Sequence, residues 1–289
     1  MKRKNLLALL TFLVATAALS AQTQVIAHRG YWRAPGAAQN SIVALQRADQ
    51  IKCFGSECDV LQTRDGVLVV HHDAHIGPDK ILIEEADYDQ IKDIVLSNGE
   101  TVPTLQQYLK ELKKCKNTLL VLEIKEHSTD QKMLRATRDI VKMVNRMGLK
   151  KKVYYISFMP TICDELVRIA PKSQVAYLSN QMTPRQVKER GYTGVDFHYS
   201  QFQKNPLWVR ECHELGLCVD GKYRGADEPD ARPGCRFHHD RLPRGVAESD
   251  LRAQAPRHLL SFTVSRLSLG KRAMAGEKYF LGRGCFLKG

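Results

Sequence analysis

The chain has 289 residues, 43% of them hydrophobic, which is enough for one large domain of barrel size. Its formal net charge of +13 would suit a nucleic-acid partner, but the charge is concentrated at the two ends of the chain. Residues 219–289 hold 14 Lys and Arg against 8 Asp and Glu, and three further cations lie within the first four residues. The middle of the chain is nearly balanced and has no basic helix with interleaved aromatic residues. We therefore expect no nucleic-acid partner.

Residues 1–21 have the pattern of a secretory signal peptide. Three basic residues at positions 2–4 precede the apolar run Leu6 to Leu19, and small residues follow up to Ala21. The apolar run is short for a membrane span, although an uncleaved anchor is the alternative. We expect a periplasmic or secreted protein with no stable membrane span. Its eight cysteines show no compact framework, and a large core makes disulfides optional.

The stretch from Val25 to Asp73 carries the densest set of chemical groups. An apolar run ending in His28, Arg29 and Gly30 predicts a buried strand whose last residues emerge into a pocket. Gly30 would allow the backbone to approach a ligand closely.

Two carboxylates follow in a second strand-like run. Glu57 and Asp59 are two residues apart, so they share one face of the strand, while Cys58 and Val60 point to the other. Two aligned carboxylates suit a hard divalent cation.

A tight turn at residues 63–66, Thr-Arg-Asp-Gly, leads into a returning strand and predicts a hairpin. This hairpin would carry His72 back toward the two carboxylates. Histidines, an arginine and an acidic cluster together suit phosphodiester chemistry, which needs proton transfer and a group that binds phosphate.

These motifs resemble the glycerophosphodiester phosphodiesterases in order and spacing. The family pattern is His-Arg-Gly, Glu-Asn-Thr/Ser, Glu-x-Asp-Val, Thr-x-Asp-Gly and His-Asp, and it selects His72 over His71 because His72 precedes Asp73. The resemblance covers residues 25–217. It implies an α/β fold, the (β/α)8 TIM barrel of the PLC-like phosphodiesterases, and hydrolysis of small-molecule glycerophosphodiesters to sn-glycerol 3-phosphate and an alcohol with Ca²⁺ or Mg²⁺. It implies these site residues: His28 and His72 as the catalytic acid and base, Arg29 and Lys125 as phosphate ligands, and Glu57, Asp59 and Glu123 as metal ligands.

Glu123 and Lys125 end the next predicted strand, residues 118–125, an almost continuous apolar run typical of a parallel sheet. Without the family they would be an ordinary ion pair at a strand end. Regular alternation of strands and helices continues to Leu215 and indicates a parallel α/β fold. The predicted helices start near Thr104, Gln131, Thr161, Pro184 and Pro206, and the predicted later strands are residues 153–158, 175–178 and 194–197.

The pattern breaks after Leu217. Six barrel strands are complete by residue 198 and the family needs two more, but the remaining chain is rich in Arg, Gly and Pro. We hypothesise a frameshift near residues 217–219. Read one base later, residues 218–223 permit Val-Trp-Thr-Val-Asn and residues 237–241 permit Phe-Ile-Thr-Thr, the sequences typical of the missing strands. Residues 22–217 would then be an incomplete catalytic barrel and residues 218–289 an aberrant or disordered tail, with a partner-binding extension as the alternative.

One residue departs from the family pattern inside the site. Gln39 stands where the family has Glu, so it can offer only a neutral amide contact, while Asn40 and Ser41 still match. The competing hypothesis is an inactive or non-catalytic phosphate-binding protein on the same fold, since the last barrel strands would be lost.

Overall fold

The computed structural model describes residues 24–222, 261–264 and 285–288. The predicted signal peptide lies outside these residues. The strands are β1 (Gln24–Ala27), β2 (Gly55–Gln62), β3 (Leu68–Val70), β4 (His75–Ile76), β5 (Ile81–Leu82), β6 (Leu119–Ile124), β7 (Val153–Ser157), β8 (Val175–Tyr177), β9 (Gly194–His198), β10 (Cys218–Lys222), β11 (Ser261–Val264) and β12 (Cys285–Lys288).

One curled sheet organises the molecule. Strands β1, β2, β6, β7, β8, β9 and β10 are neighbours in chain order, and each pairs in parallel with the next. Six of them end by His198, which confirms the predicted parallel α/β architecture. A seventh parallel strand, β10, begins directly after the predicted domain boundary at Leu217.

Two short strands of the tail pair with the two ends of this row. Strand β11 is antiparallel to β1, and β12 is parallel to β10. The predicted loss of the last two barrel strands concerns residues 218–289, of which 223–260, 265–284 and 289 lie outside the described residues. That hypothesis stays a prediction.

Polar caps set where the helices begin. Ser41 caps the first helix, its Oγ accepting the N–H of Ala44 at 3.0 Å. Thr104 and Thr183 form capping boxes with the glutamine three residues later. Each such cap stabilises its helix by about 1 kcal/mol. The helices are α1 (Ile42–Gln50), α2 (Leu105–Leu112), α3 (Asp130–Arg146), α4 (Pro160–Ile169), α5 (Pro184–Glu189), α6 (Tyr199–Lys204) and α7 (Trp208–Glu214).

The predicted helices are confirmed, with their ends shifted by a few residues. The largest difference is in α2, which was expected to reach about Lys116 and ends at Leu112. Helices α1 and α6 were not predicted. Among the described residues, no helix is both long and apolar enough to cross a membrane.

Successive side chains of each strand point to opposite faces of the sheet, one toward the helices and one toward the inside of the barrel. Cys58 and Val60 on β2 join Leu122 on β6 in the large core between the sheet and the helices. Full burial of such a leucine stabilises the fold by about 1.5–3 kcal/mol. A smaller apolar cluster that includes Ile26 and Val121 lies on the other face, inside the curve of the sheet. Glu57 and Asp59 therefore point into the barrel because their neighbours point out of it.

None of the six cysteines whose side chains are described forms a disulfide, and five of the six are buried. Burial raises the pKa of the Cys53 thiol to about 12, so this side chain behaves as a small apolar group. The described part of the barrel is held together by its core, as expected for a domain of this size.

Gly30 packs closely against a helix. Its φ of +76° favours glycine, and a Cβ at this position would lie 2.6 Å from the Cβ of Ala44 in α1. The predicted approach of a ligand to Gly30 stays a prediction. Gly30 lets the turn after β1 pack directly on α1.

We expect Gly30→Ala to destabilise the protein by about 2–4 kcal/mol, because left-handed strain adds to a steric overlap in a packed region. Gly148→Ala is the matched control, since Gly148 has a φ of +73° and a Cβ added there would meet no atom within 4 Å. Guanidinium denaturation of both variants measures the difference. Equal losses of unfolding free energy would show that the contact with Ala44 adds nothing.

Candidate active site

Three buried carboxylates from two neighbouring strands meet inside the barrel. Glu57 and Asp59 lie on β2, and Glu123 lies on β6 in register with Asp59. One oxygen from each of the three lies within 4.8 Å of the others. Glu57 and Asp59 are fully buried and Glu123 is nearly so. The expected convergence of these acidic side chains is present in the structure.

Two basic side chains offset part of this charge. The Lys125 Nζ lies 2.9 Å from Glu123 Oε1 and 3.3 Å from Asp59 Oδ1. The Arg29 Nε lies 3.9 Å from Asp59 Oδ2. Three negative charges therefore face two permanent positive charges, which leaves the site attractive to a further cation.

These neighbours shift the pKa values of the ionisable groups. Burial acts to raise the pKa of Asp59, but Lys125, His72 and the hydrogen bond from Asn40 outweigh it, so the pKa falls below its usual value. Burial acts to lower the pKa of Lys125, but Glu123 and Asp59 outweigh it, so the pKa is raised. Both groups are therefore charged at neutral pH.

The loop after β1 places His28 and Arg29 beside the carboxylates. His28 is buried, and its Nε2 lies 3.9 Å from Glu57 Oε2. The backbone N–H of Arg29 donates to the same Glu57 oxygen at 2.6 Å. Arg29 adopts a φ of +57°, an uncommon value for a residue with a side chain. The main chain of Arg29 thus positions Glu57, while the side chain of Arg29 approaches Asp59.

Asn40 holds Asp59 in place, a function that the sequence did not reveal. Its Nδ2 donates to Asp59 Oδ2 at 2.9 Å, and the N–H of Asp59 donates to Asn40 Oδ1 at 3.2 Å. Next to it, Gln39 Oε1 accepts a hydrogen bond from Arg29 Nη1 at 2.5 Å. Gln39 therefore makes the neutral amide contact that its chemistry allows, and its partner is Arg29.

The predicted hairpin is present and brings His72 to the site. Strand β3 returns antiparallel to β2, and the N–H of His71 donates to the carbonyl of Asp59 at 3.0 Å. His72 Nδ1 lies 2.6 Å from Asp73 Oδ1. Burial lowers the pKa of His72 and outweighs the opposing charge of Asp59. His72 is therefore mostly neutral at pH 7, with its ring oriented by Asp73.

His127 is a further buried histidine near the site that sequence reasoning missed. Its Nε2 accepts the N–H of Gln62 at 3.1 Å, and its Nδ1 lies 3.1 Å from the carbonyl oxygen of Lys125. The ring thus joins the ends of β2 and β6 just beyond the three carboxylates. Nothing in the spacing of His127 distinguishes it from a surface histidine, so only the fold reveals this bridge.

The donor set fits a hard divalent cation. Three carboxylates supply oxygen ligands of the kind that Ca²⁺ and Mg²⁺ prefer, and their burial excludes competing water. The same cluster has an arginine and a lysine at its edge and two histidines, His28 and His72, close to its carboxylates. Such a set can bind a phosphate group and transfer protons to and from its ester oxygens.

Comparisons with known proteins agree with this geometry. The model of the glycerophosphoryl diester phosphodiesterase family matches residues 28–219. A solved glycerophosphodiester phosphodiesterase from Parabacteroides distasonis is 48% identical with a TM-score of 0.69, over 73% of this chain and 87% of that one. A solved Oleispira antarctica phosphodiesterase, in complex with the product sn-glycerol-3-phosphate, is 21% identical with a TM-score of 0.58, over 70% of this chain and 83% of that one, and shows the fold alone. These likenesses confirm the predicted PLC-like TIM-barrel fold.

Two curated relatives match parts of the chain. A glycerophosphodiester phosphodiesterase of Caldanaerobacter subterraneus is 27% identical over 54% of this chain and 67% of its own length. The "Probable glycerophosphodiester phosphodiesterase 2" of Mycobacterium tuberculosis is 35% identical over 30% of this chain. The match spans about a third, 34%, of that relative's length.

We expect Glu123→Gln to weaken Mg²⁺ or Ca²⁺ binding at least about tenfold, because it removes one of three charged oxygen ligands. A bound cation raises the unfolding free energy of the wild type, by about 2.7 kcal/mol at a concentration of 100 Kd, and should raise that of the variant much less. Glu214→Gln on α7, far from the cluster in sequence and 70% exposed, is the charge-matched control. Equal stabilisation of Glu123→Gln and wild type would remove Glu123 from the ion site.

Proposed function

The chain belongs to the glycerophosphoryl diester phosphodiesterase family, and from this premise we propose that it hydrolyses glycerophosphodiesters to sn-glycerol 3-phosphate and an alcohol. Family members are phosphoric diester hydrolases and generally require a divalent cation. The observation that carries the proposal is the meeting of Glu57, Asp59 and Glu123 within 4.8 Å beside Arg29 and Lys125.

Arg29 and Lys125 are the proposed phosphate ligands. Arg29 offers planar N–H donors that match phosphate oxygens, and Lys125 offers a compact charge at the edge of the carboxylate cluster. Ca²⁺ or Mg²⁺ held by Glu57, Asp59 and Glu123 would supply further positive charge to the phosphate oxygens. Together these groups offset the charge that develops in the transition state.

His28 and His72 are the proposed acid and base. One imidazole takes the proton of the attacking hydroxyl, and the other protonates the leaving alkoxide. The hydroxyl belongs to water, or to the glycerol part of the substrate, in which case water must open the resulting cyclic phosphodiester in a second step to give sn-glycerol 3-phosphate. The lowered pKa of His72 and its contact with Asp73 support His72 as the base. The position of His28 beside Glu57, one of the proposed metal ligands, supports His28 as the other proton-transfer group.

The proposed substrate is a small molecule, and we propose that it is hydrolysed outside the cytoplasm. The first proposal follows from the family, and the second rests on the signal-peptide pattern of residues 1–21. The balanced charge of the middle of the chain supports the absence of a nucleic-acid partner.

We expect His72→Ala to lower kcat by about 10²–10⁴, because it removes a proton-transfer group while the phosphate ligands stay in place. Metal-dependent binding of sn-glycerol 3-phosphate, measured by calorimetry, should be retained. His71→Ala is the matched control, since His71 is the adjacent imidazole and is held through its main chain. Unchanged turnover in His72→Ala would exclude His72 from the mechanism.

The second candidate is a non-catalytic phosphate-binding protein or an inactive product of a damaged gene. The sequence after Leu217, which lacks the pattern of the family's last two strands, supports it. A barrel that lacks these strands would expose sheet edges and the inner face of the sheet. The retained histidines and the three carboxylates support catalysis instead.

We expect a chain re-encoded one base later from about residue 218 to hydrolyse glycerophosphocholine faster than the chain described above, because it would restore the sequence pattern of the family's last two strands. The assay compares both chains with and without the divalent cation. His72→Ala in the re-encoded chain is the control for background hydrolysis. Equal activity in the two chains would show that residues 218–289 complete a working barrel as they stand.

A further inference from the structure

We propose that Gln39 is a positioning residue for Arg29, and that its amide oxygen holds the guanidinium in the orientation that binds the phosphate group. This inference rests on the proposed function and deepens it. It concerns the one position of the site motifs at which the chain departs from the family pattern.

The main chain and the side chain of Arg29 are held by different groups. The N–H of Arg29 donates to Glu57 Oε2 at 2.6 Å, and its carbonyl accepts the N–H of Asn40 at 3.0 Å. These two bonds fix the backbone but leave a long side chain with several rotamers. The hydrogen bond from Arg29 Nη1 to Gln39 Oε1, at 2.5 Å, orients the guanidinium.

Gln39 is itself placed by its neighbour. Asn40 is buried, adopts a φ of +60° and exchanges two hydrogen bonds with Asp59. Gln39 is adjacent to this fixed residue, so its amide is carried by a segment tied to the carboxylate cluster. The orientation of the guanidinium is therefore coupled to the geometry of the site.

The amide oxygen of Gln39 accepts one hydrogen bond from Arg29, so the other guanidinium donors stay available to the substrate. A glutamate at this position, as in the family pattern, would offer an acceptor oxygen of the same kind.

The experiment measures binding of inorganic phosphate and of sn-glycerol 3-phosphate to the full chain by calorimetry in the presence of Mg²⁺. We expect Gln39→Met, which has no oxygen acceptor, to weaken both at least about tenfold, or 1.4 kcal/mol, because the guanidinium loses its orientation. Gln46→Met is the matched control, since Gln46 is a half-buried glutamine on α1 whose amide donates to Glu111.

A double-mutant cycle separates positioning from a general structural effect. If Gln39 acts through Arg29, then Gln39→Met should have no further effect on affinity in an Arg29→Met background. Unfolding free energies of all variants are measured in parallel. Additive losses in the cycle, or binding by Gln39→Met as tight as that of the wild type, would overturn the inference.

The outcome also separates this inference from the proposed function. A wild type that binds phosphate and hydrolyses glycerophosphocholine, with Gln39 variants that behave like it, overturns only the inference about Gln39. A wild type that binds neither phosphate nor sn-glycerol 3-phosphate overturns both.

Discussion

Like-charge repulsion among three buried carboxylates is the constraint on which the site depends. Glu57, Asp59 and Glu123 are held a few ångströms apart in an environment where unpaired charges are costly. The fold offsets this with Lys125, with the Arg29 main chain and side chain, and with the Asn40 amide. Lys125, Arg29 and Asn40 each contact a carboxylate of β2 but lie outside β2 themselves. The site therefore exists only once the barrel strands have paired.

Local backbone strain is concentrated in the loop that carries these groups. Arg29 and Asn40 both adopt positive φ values, an uncommon conformation for residues with side chains. In return the loop directs an N–H to Glu57 and an amide to Asp59. Gly30 completes the turn by packing against α1, which ties the strained segment to a capped helix. The strain is sustained because the surrounding contacts fix the loop at several points.

Much of this arrangement could be predicted from periodicity. The spacing of Glu57 and Asp59 indicated their common face, and the turn at residues 63–66 indicated the hairpin that returns His72. Parallel pairing then placed Glu123 beside Asp59. These inferences succeeded because strand alternation and hairpin geometry are local rules that leave a clear mark in a sequence.

Contacts between distant segments could not be predicted in the same way. The bridge from His127 to the ends of β2 and β6, the packing of Gly30 on Ala44, and the amide bonds of Asn40 join residues that no local pattern relates. Helix α1 was missed because its cap, Ser41, was attributed to the family motif alone. Ser41 belongs to the family motif and also caps α1, and the match to the motif gave no indication of the cap.

Alternate residues of β2 point to the core and to the carboxylate cluster, and this arrangement links the binding of a cation to the stability of the fold. Cys58 and Val60 anchor β2 on the helix side, and His127 fastens β2 to β6 beyond the carboxylates, so the acidic side chains cannot separate to relieve their repulsion. Repulsion that cannot relax is removed only by added positive charge. A cation bound at this point would therefore stabilise the fold as well as the substrate phosphate, because both depend on the spacing of the same three oxygens.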